Sequence, residues 1–279
     1  MNAVKRDTAR TKCVIAVAGG MLAAVPATGH AAESAWVRAP ESQVRLIAGG
    51  GGTEPVVAGV EISLSPGWKT YWRSPGDAGG VPPYFDWSAS ENVASTQVQY
   101  PAPKRYTDKA GDSIGYKEHV VLPVRVTPRD AGAAIALRLK LEYGICREIC
   151  IPAETQLSLD LPAGGAGPAP AGITAALARV PGEAKLPALR KAEAMLSGDK
   201  PKIIIEAEYV PGETHADVFV EGPDGVYVPM ARVAGQTGNV HRFEIDVANG
   251  GDPADIKGKT LTVTLTGDSG QAEARFKAE

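Results

Sequence analysis

Two cysteines, Cys146 and Cys150, stand four residues apart in the segment Leu141-Glu142-Tyr143-Gly144-Ile145-Cys146-Arg147-Glu148-Ile149-Cys150-Ile151-Pro152-Ala153-Glu154. A pair of thiols at this spacing can form a stapling disulfide, exchange with other disulfides, or hold a soft metal ion such as Cu(I). Along an extended strand, four residues would separate their Cα atoms by about 13 Å, at about 3.3 Å per residue. A disulfide needs less than about 7 Å. A bridge therefore requires a turn or one helical turn between the cysteines. Gly144 before the pair and Pro152 after it fit such an interruption between two strands.

The chemistry of the pair stays open at this level. A ring of about five residues gains only about 2 kcal/mol from closure, and a staple meant for stability would more usefully join distant strands. Arg147 beside Cys146 favours a thiolate, while Glu148 opposes it. A Cu(I) site would need further soft ligands, and neither Met nor His lies nearby.

A second segment, Trp68-Lys69-Thr70-Tyr71-Trp72-Arg73-Ser74-Pro75-Gly76-Asp77-Ala78-Gly79-Gly80, joins an aromatic strand to a glycine-rich loop. It lacks the helix that a phosphate-cradling loop must open, so no nucleotide site is expected. No Ser sits in a nucleophile elbow. His119, His215 and His241 fall within strand patterns and read as ordinary polar positions.

Residues 1–31 read as a secretory leader. Lys5, Arg6, Arg10 and Lys12 precede the apolar stretch Cys13–Val25, and Gly29 and Ala31 supply small residues at the −3 and −1 positions. Cys13 opens the apolar stretch and does not close it, which argues against lipidation. Without four basic residues and Asp7, the remaining 248 residues carry 25 basic and 31 acidic side chains, a net charge of −6. That balance offers no field for nucleic acid. Past the leader no apolar run is long enough to span a membrane. Cys146 and Cys150 are then the only cysteines left, and an exported chain is expected to pair them.

The elements that must hold these residues read as short strands. They are Val56–Leu64, Trp68–Trp72, Tyr84–Trp87, Ala94–Tyr100, His119–Thr127, Ala134–Tyr143 and Gln156–Leu161. Beyond Pro201 the pattern resumes in Lys202–Tyr209, His215–Glu221, Val226–Arg232, Val240–Val247 and Thr260–Thr266. With 32 Gly, 22 Pro and only 6% aromatics, the composition disfavours a helical bundle. Strands spaced roughly 8–12 residues apart in both halves predict an all-β protein. The expected layout is an immunoglobulin-like sandwich over 35–162, a linker over 163–194 and a second, smaller sandwich over 195–279. Pro162–Gly172 reads as an unstructured Gly/Ala/Pro run, and Ile173–Val180 and Leu186–Met195 have the composition of short helices.

Taken together, several stretches resemble the N-terminal periplasmic domain of the thiol:disulfide interchange reductase DsbD, and more closely its ScsB-like branch. They are Gly67–Asp77, Tyr100-Pro101-Ala102-Pro103, Ile114-Gly115-Tyr116 before Val120–Val124, and Cys146-Arg147-Glu148-Ile149-Cys150-Ile151-Pro152. They occur in the family's order and cover about residues 55–162. The resemblance implies that Cys146 and Cys150 cycle between dithiol and disulfide, with no cofactor or metal. It implies that Cys150 joins partners in mixed disulfides, and that a cap over about Lys104–Asp112 shields the pair through Tyr106 and Asp108. The implied partners are a membrane-embedded thiol reductase or thioredoxin-like protein on one side and oxidised periplasmic proteins on the other. Family members usually continue into a membrane domain and a thioredoxin-like domain. This sequence ends at Glu279 with neither, so either a separate membrane protein is expected to supply electrons or the domain has lost reductase work and kept a binding role.

Overall fold

Alternation along Ile135–Cys146 sets the frame. Ile135, Leu137, Leu139 and Leu141 are buried, and the residues between them are partly or fully exposed. From Tyr143 to Cys146 the alternation stops and every residue is buried, so both faces of the strand are covered at the cysteine end.

The computed structural model describes Met1 and residues 32–51, 54–109, 111–223 and 225–279; the expected leader lies outside the described residues. Its first half contains β1 (Ala32–Glu33), β2 (Val37–Ala39), β3 (Ser42–Gly51), β4 (Glu54–Leu64), β5 (Lys69–Tyr71), β6 (Tyr84–Asp86) and β7 (Val93–Val98). It continues through β8 (Lys104–Asp108), β9 (Gly111–Lys117), β10 (His119–Pro128), β11 (Ile135–Cys146) and β12 (Cys150–Leu161). One antiparallel sheet runs β1-β3-β4-β10-β7, with β2 beside β3; the other runs β12-β11-β5-β9-β8, with β6 beside β11. Leu46, Ile62 and Leu122 from the first sheet meet Leu137, Leu139 and Leu141 from the second in one core. Each such leucine or isoleucine contributes roughly 2 kcal/mol by leaving water.

A helix, α1 (Ala171–Leu177), buries Ile173 and Ala176 against Ile47 and Val121 on the outside of the first sheet. The second half follows with β13 (Ala188–Met195), β14 (Lys202–Glu208), β15 (Asp217–Glu221), β16 (Arg232–Thr237), β17 (Val240–Asp246), α2 (Pro253–Ile256), β18 (Thr260–Gly267) and β19 (Gly270–Lys277). Its sheets, β13-β14-β17-β16 and β15-β18-β19, enclose Ile203, Ile205, Phe243, Ile245, Leu261, Val263 and Leu265. The chain is therefore all-β, a pair of immunoglobulin-like sandwiches in series.

Two expectations are corrected. Leu186–Met195, read as helical, forms β13 and pairs with β14 from Ala188↔Glu208 to Met195↔Lys202. Helix propensity differs among ordinary residues by under about 1 kcal/mol, less than the sheet ladder and the partial burial of Leu189, Ala192 and Ala194 supply. The Pro162–Gly172 run is not a loose linker. The Gly50 N–H donates to Gly167 O at 2.6 Å, the Ala166 N–H donates to Gly50 O at 2.9 Å, and Ala166 is buried. Glycine permits this approach: a Cβ on Gly165, where φ is +96°, would lie 2.1 Å from Gly50 O. Limited proteolysis of the folded protein should therefore spare 162–172 until other loops are cut, which peptide mapping of early fragments would check.

The two sandwiches share contacts. Phe219 and Met230 of the second belong to the core cluster of the first, and Trp72 meets Phe219 at 5.8 Å between ring centroids. Arg73 pairs with Glu221 at 2.7 Å and with Glu273 at 2.9 Å. Arg105 holds Asp217 through two nitrogens, at 2.7 and 2.9 Å.

Candidate functional site

The cysteines close the β11–β12 hairpin. Twelve residues of each strand pair in register from Ile135↔Leu161 to Cys146↔Cys150, and Arg147-Glu148-Ile149 makes the turn. The Cα atoms of the pair are 4.1 Å apart and the sulfurs are bonded. The turn required by the spacing is thus a hairpin tip. The two sulfurs have different surroundings: Cys146 is 7% exposed, whereas Cys150 is open to solvent beside Ile149, itself 66% exposed.

β5 runs alongside β11, with Cys146 opposite Lys69 and Ile145 opposite Thr70. Alternation puts Lys69 and Tyr71 on the face that carries Cys146. Register through β9 and β8, with Tyr71↔Gly115, Tyr106↔Ser113 and Asp108↔Gly111, extends that face to Ser113, Tyr106 and Asp108. Side-chain bonds tie it together. Lys69, 5% exposed, donates from Nζ to Asp108 Oδ2 at 2.8 Å and to Ser113 Oγ at 2.7 Å. The Tyr71 hydroxyl lies 3.1 Å from Cys150 Sγ. A disulfide sulfur carries no proton, so Tyr71 donates. Burial, reinforced by the Asp108 charge, pushes the Tyr71 phenol above its usual range, so it stays a donor at neutral pH.

The glycine-rich loop supplies the lid over Tyr71. The Gly144 N–H donates to Val81 O at 2.9 Å. At Gly80, with φ +148°, a Cβ would stand 2.3 Å from Tyr71 Cε1, so bare backbone lies on the tyrosine ring. The segment Trp68–Gly80 is therefore a strand and loop wrapped around the disulfide's neighbour. Arg147, weighed above as a thiolate stabiliser, stacks 5.5 Å over the Trp68 ring.

The cap positions fall on the β8–β9 hairpin. Asp108 reaches the site through Lys69, while the Tyr106 ring packs 4.7 Å from Lys117 Nζ. Cys146 lies covered and Cys150 does not. The histidines lie elsewhere: His119 on β10 bonds Glu61 at 2.9 Å, His241 meets the Tyr209 ring at 5.1 Å, and His215 lies 2.6 Å from Asp268. Among the described residues, Glu213, His215 and Asp268 bring metal-ligand atoms within 4.8 Å of one another, and the cysteines take no part. The disulfide leaves no thiolate for Cu(I) in this oxidised form.

The first sandwich thus carries a Cys-x3-Cys disulfide at a hairpin tip, with one sulfur covered and one open. Residues 38–162 match the model of the family described as "Thiol:disulfide interchange protein DsbD, N-terminal". Residues 179–279 match a domain of unknown function, DUF8393. Among solved structures, the N-terminal periplasmic domain of ScsB from Proteus mirabilis is similar at 25% identity and a TM-score of 0.71, over 89% of this chain and 98% of that one. No curated protein sequence matches the chain.

Proposed function

We propose that the protein is an exported electron carrier, passing two electrons from a membrane-embedded thiol reductase or thioredoxin-like protein to oxidised periplasmic proteins. In the reduced form the Cys150 thiolate attacks a substrate disulfide. A Cys150–substrate bond forms and one substrate sulfur leaves as thiolate. The Cys146 thiolate then attacks Cys150 Sγ, re-forms the intramolecular bond and releases the second substrate sulfur. The substrate gains two electrons and the carrier loses two; a partner dithiol reverses both steps to recharge it.

The observation that carries this reading is the unequal exposure of the two sulfurs. An intermolecular bond forms where a partner sulfur can approach in line, and Cys150 offers that approach while Cys146 is covered. The test is capture in a periplasmic extract. Cys146→Ala should accumulate mixed disulfides that dissolve on reduction, and Cys150→Ala should accumulate far fewer. Equal capture by both variants would overturn the division of roles, and capture by neither would favour a docking module with a structural bond.

A further inference from the structure

We infer that the second domain is a brace for the redox site: through Asp77 it fixes the Ser74–Pro83 loop, and the loop fixes Tyr71 against Cys150 Sγ. This role goes beyond the exchange reading and gives the 179–279 region a task.

The contacts run in sequence from one domain to the sulfur. Asp77 Oδ1 accepts two hydrogen bonds from the second domain, one from the Tyr227 hydroxyl at 2.7 Å and one from the Met230 N–H at 2.8 Å. Three residues later Gly80 lies on the Tyr71 ring, and the next residue, Val81, accepts from Gly144 two positions before Cys146. At the loop's start, Arg73 is held by Glu221 and Glu273. The loop also meets its neighbour directly, since a Cβ on Gly76 would lie 2.9 Å from Met230 Sδ, and a cavity of about 240 Å³ lined by Ser74, Asp77, Gly80, Phe219, Tyr227 and Met230 adjoins that contact. On its own side the loop is held to β9, where the Ile114 N–H donates to Pro75 O at 2.8 Å and the Ala78 N–H donates to Asp112 O at 2.9 Å. The two bonds at Asp77 add the directional tie to the second domain.

The consequence for chemistry follows from what Tyr71 does in each redox state. A neutral disulfide sulfur accepts its hydrogen bond weakly, whereas a thiolate accepts it strongly. Tyr71 held in place thus favours the reduced form. Release of the loop loses that preference.

The experiment is the redox equilibrium of the whole protein, both cysteines intact, against reduced and oxidised dithiothreitol at pH 7, with thermal melting alongside. Tyr71→Phe should lower the equilibrium constant for reduction about tenfold, the worth of one hydrogen bond to a charged acceptor. Asp77→Ala should move it the same way by about three- to tenfold, and Tyr227→Phe, which deletes one oxygen in the other domain, by a smaller factor. Asp77→Asn keeps an acceptor and should stay near wild type. Asp77→Ala added to Tyr71→Phe should cause no further shift, because both act through one hydrogen bond.

The brace is overturned by any of three results: no shift for Tyr71→Phe, no shift for Asp77→Ala and Tyr227→Phe, or independent addition in the double variant. Should Asp77→Ala fail to fold, Tyr227→Phe decides. Dithiothreitol needs no biological partner, so failure to trap partners and failure of the brace are separate outcomes.

Discussion

Loss of either cysteine should abolish exchange and yet leave the first sandwich folded. Turnover, followed as thiol-driven reduction of a protein disulfide, should fall by orders of magnitude in Cys146→Ala and in Cys150→Ala, because the cycle needs one sulfur to attack and another to release. The stability cost should be only about 2 kcal/mol, from the closure entropy of a five-residue ring. The physical reason lies in the hairpin. Cys146 and Cys150 are already directly opposite at the end of a ladder that pairs all twelve residues of each strand. The covalent bond removes only the small freedom of a five-residue loop from the unfolded chain, and the folded ladder keeps its other pairs without it. Denaturant unfolding of both variants beside the activity assay separates the possibilities. Large destabilisation with no loss of turnover would make the bond a staple.

Arg105→Ala should be the most damaging single change outside the cores and the hairpin. The guanidinium bonds Asp217 through Nε and Nη2, Asp112 through Nη1 at 3.1 Å, and Ala231 O at 2.9 Å. It joins the strand that carries Asp108 to the second domain. Alanine takes the shared guanidinium from two partly buried carboxylates, at a cost of about 1–3 kcal/mol. The cost should depend on pH. Burial pushes the Asp112 carboxyl up, but hydrogen bonds from Thr107 and Arg105 outweigh it and hold the group below the usual range. A lowered carboxylate pKa contributes stability that is present above the unfolded value and lost as pH falls through the folded one. The wild-type advantage should therefore be full above about pH 4 and shrink below it. Urea unfolding of both proteins at pH 7 and pH 3 checks the size and the sign. An equal difference at both pH values would show that packing, and not charge, carries the loss.

Much of this architecture is written in alternation. Ile135, Leu137, Leu139 and Leu141 announce a strand with one buried face, and β11 has it. Propensity misleads where side chains are small. Ala188–Met195 has helical composition, but its position beside β14 and the burial of Leu189 make it a strand. The Gly/Ala/Pro run misleads for a related reason. A sequence without side chains to pack looks loose, yet backbone can pack on backbone, as Gly165 does on Gly50. At the site, the cysteine spacing reveals the need for a turn, while the chemistry of the pair stays open without the resemblance. Lys69 and Tyr71 stand in a segment whose alternation places them together, but no local signal tells which strand runs beside β5. Their meeting with Cys146 and Cys150 depends on a pairing about 75 residues apart in sequence, which periodicity does not encode.

The packed Pro162–Gly172 run also bears on how the exposed sulfur would meet partners in the proposed exchange. A free tether of eleven residues would let its ends wander through about 18 Å root-mean-square and would give each sandwich its own orientation in solution. Here that freedom is absent, since the run lies along β3 and ion pairs cross between the sandwiches. Cys150 is presented by tumbling of the whole molecule, without a fishing-line motion of one half. In the proposed exchange, encounter would then select partners by the fit of a single outline, and a productive collision would lose no tether entropy when the sulfurs meet.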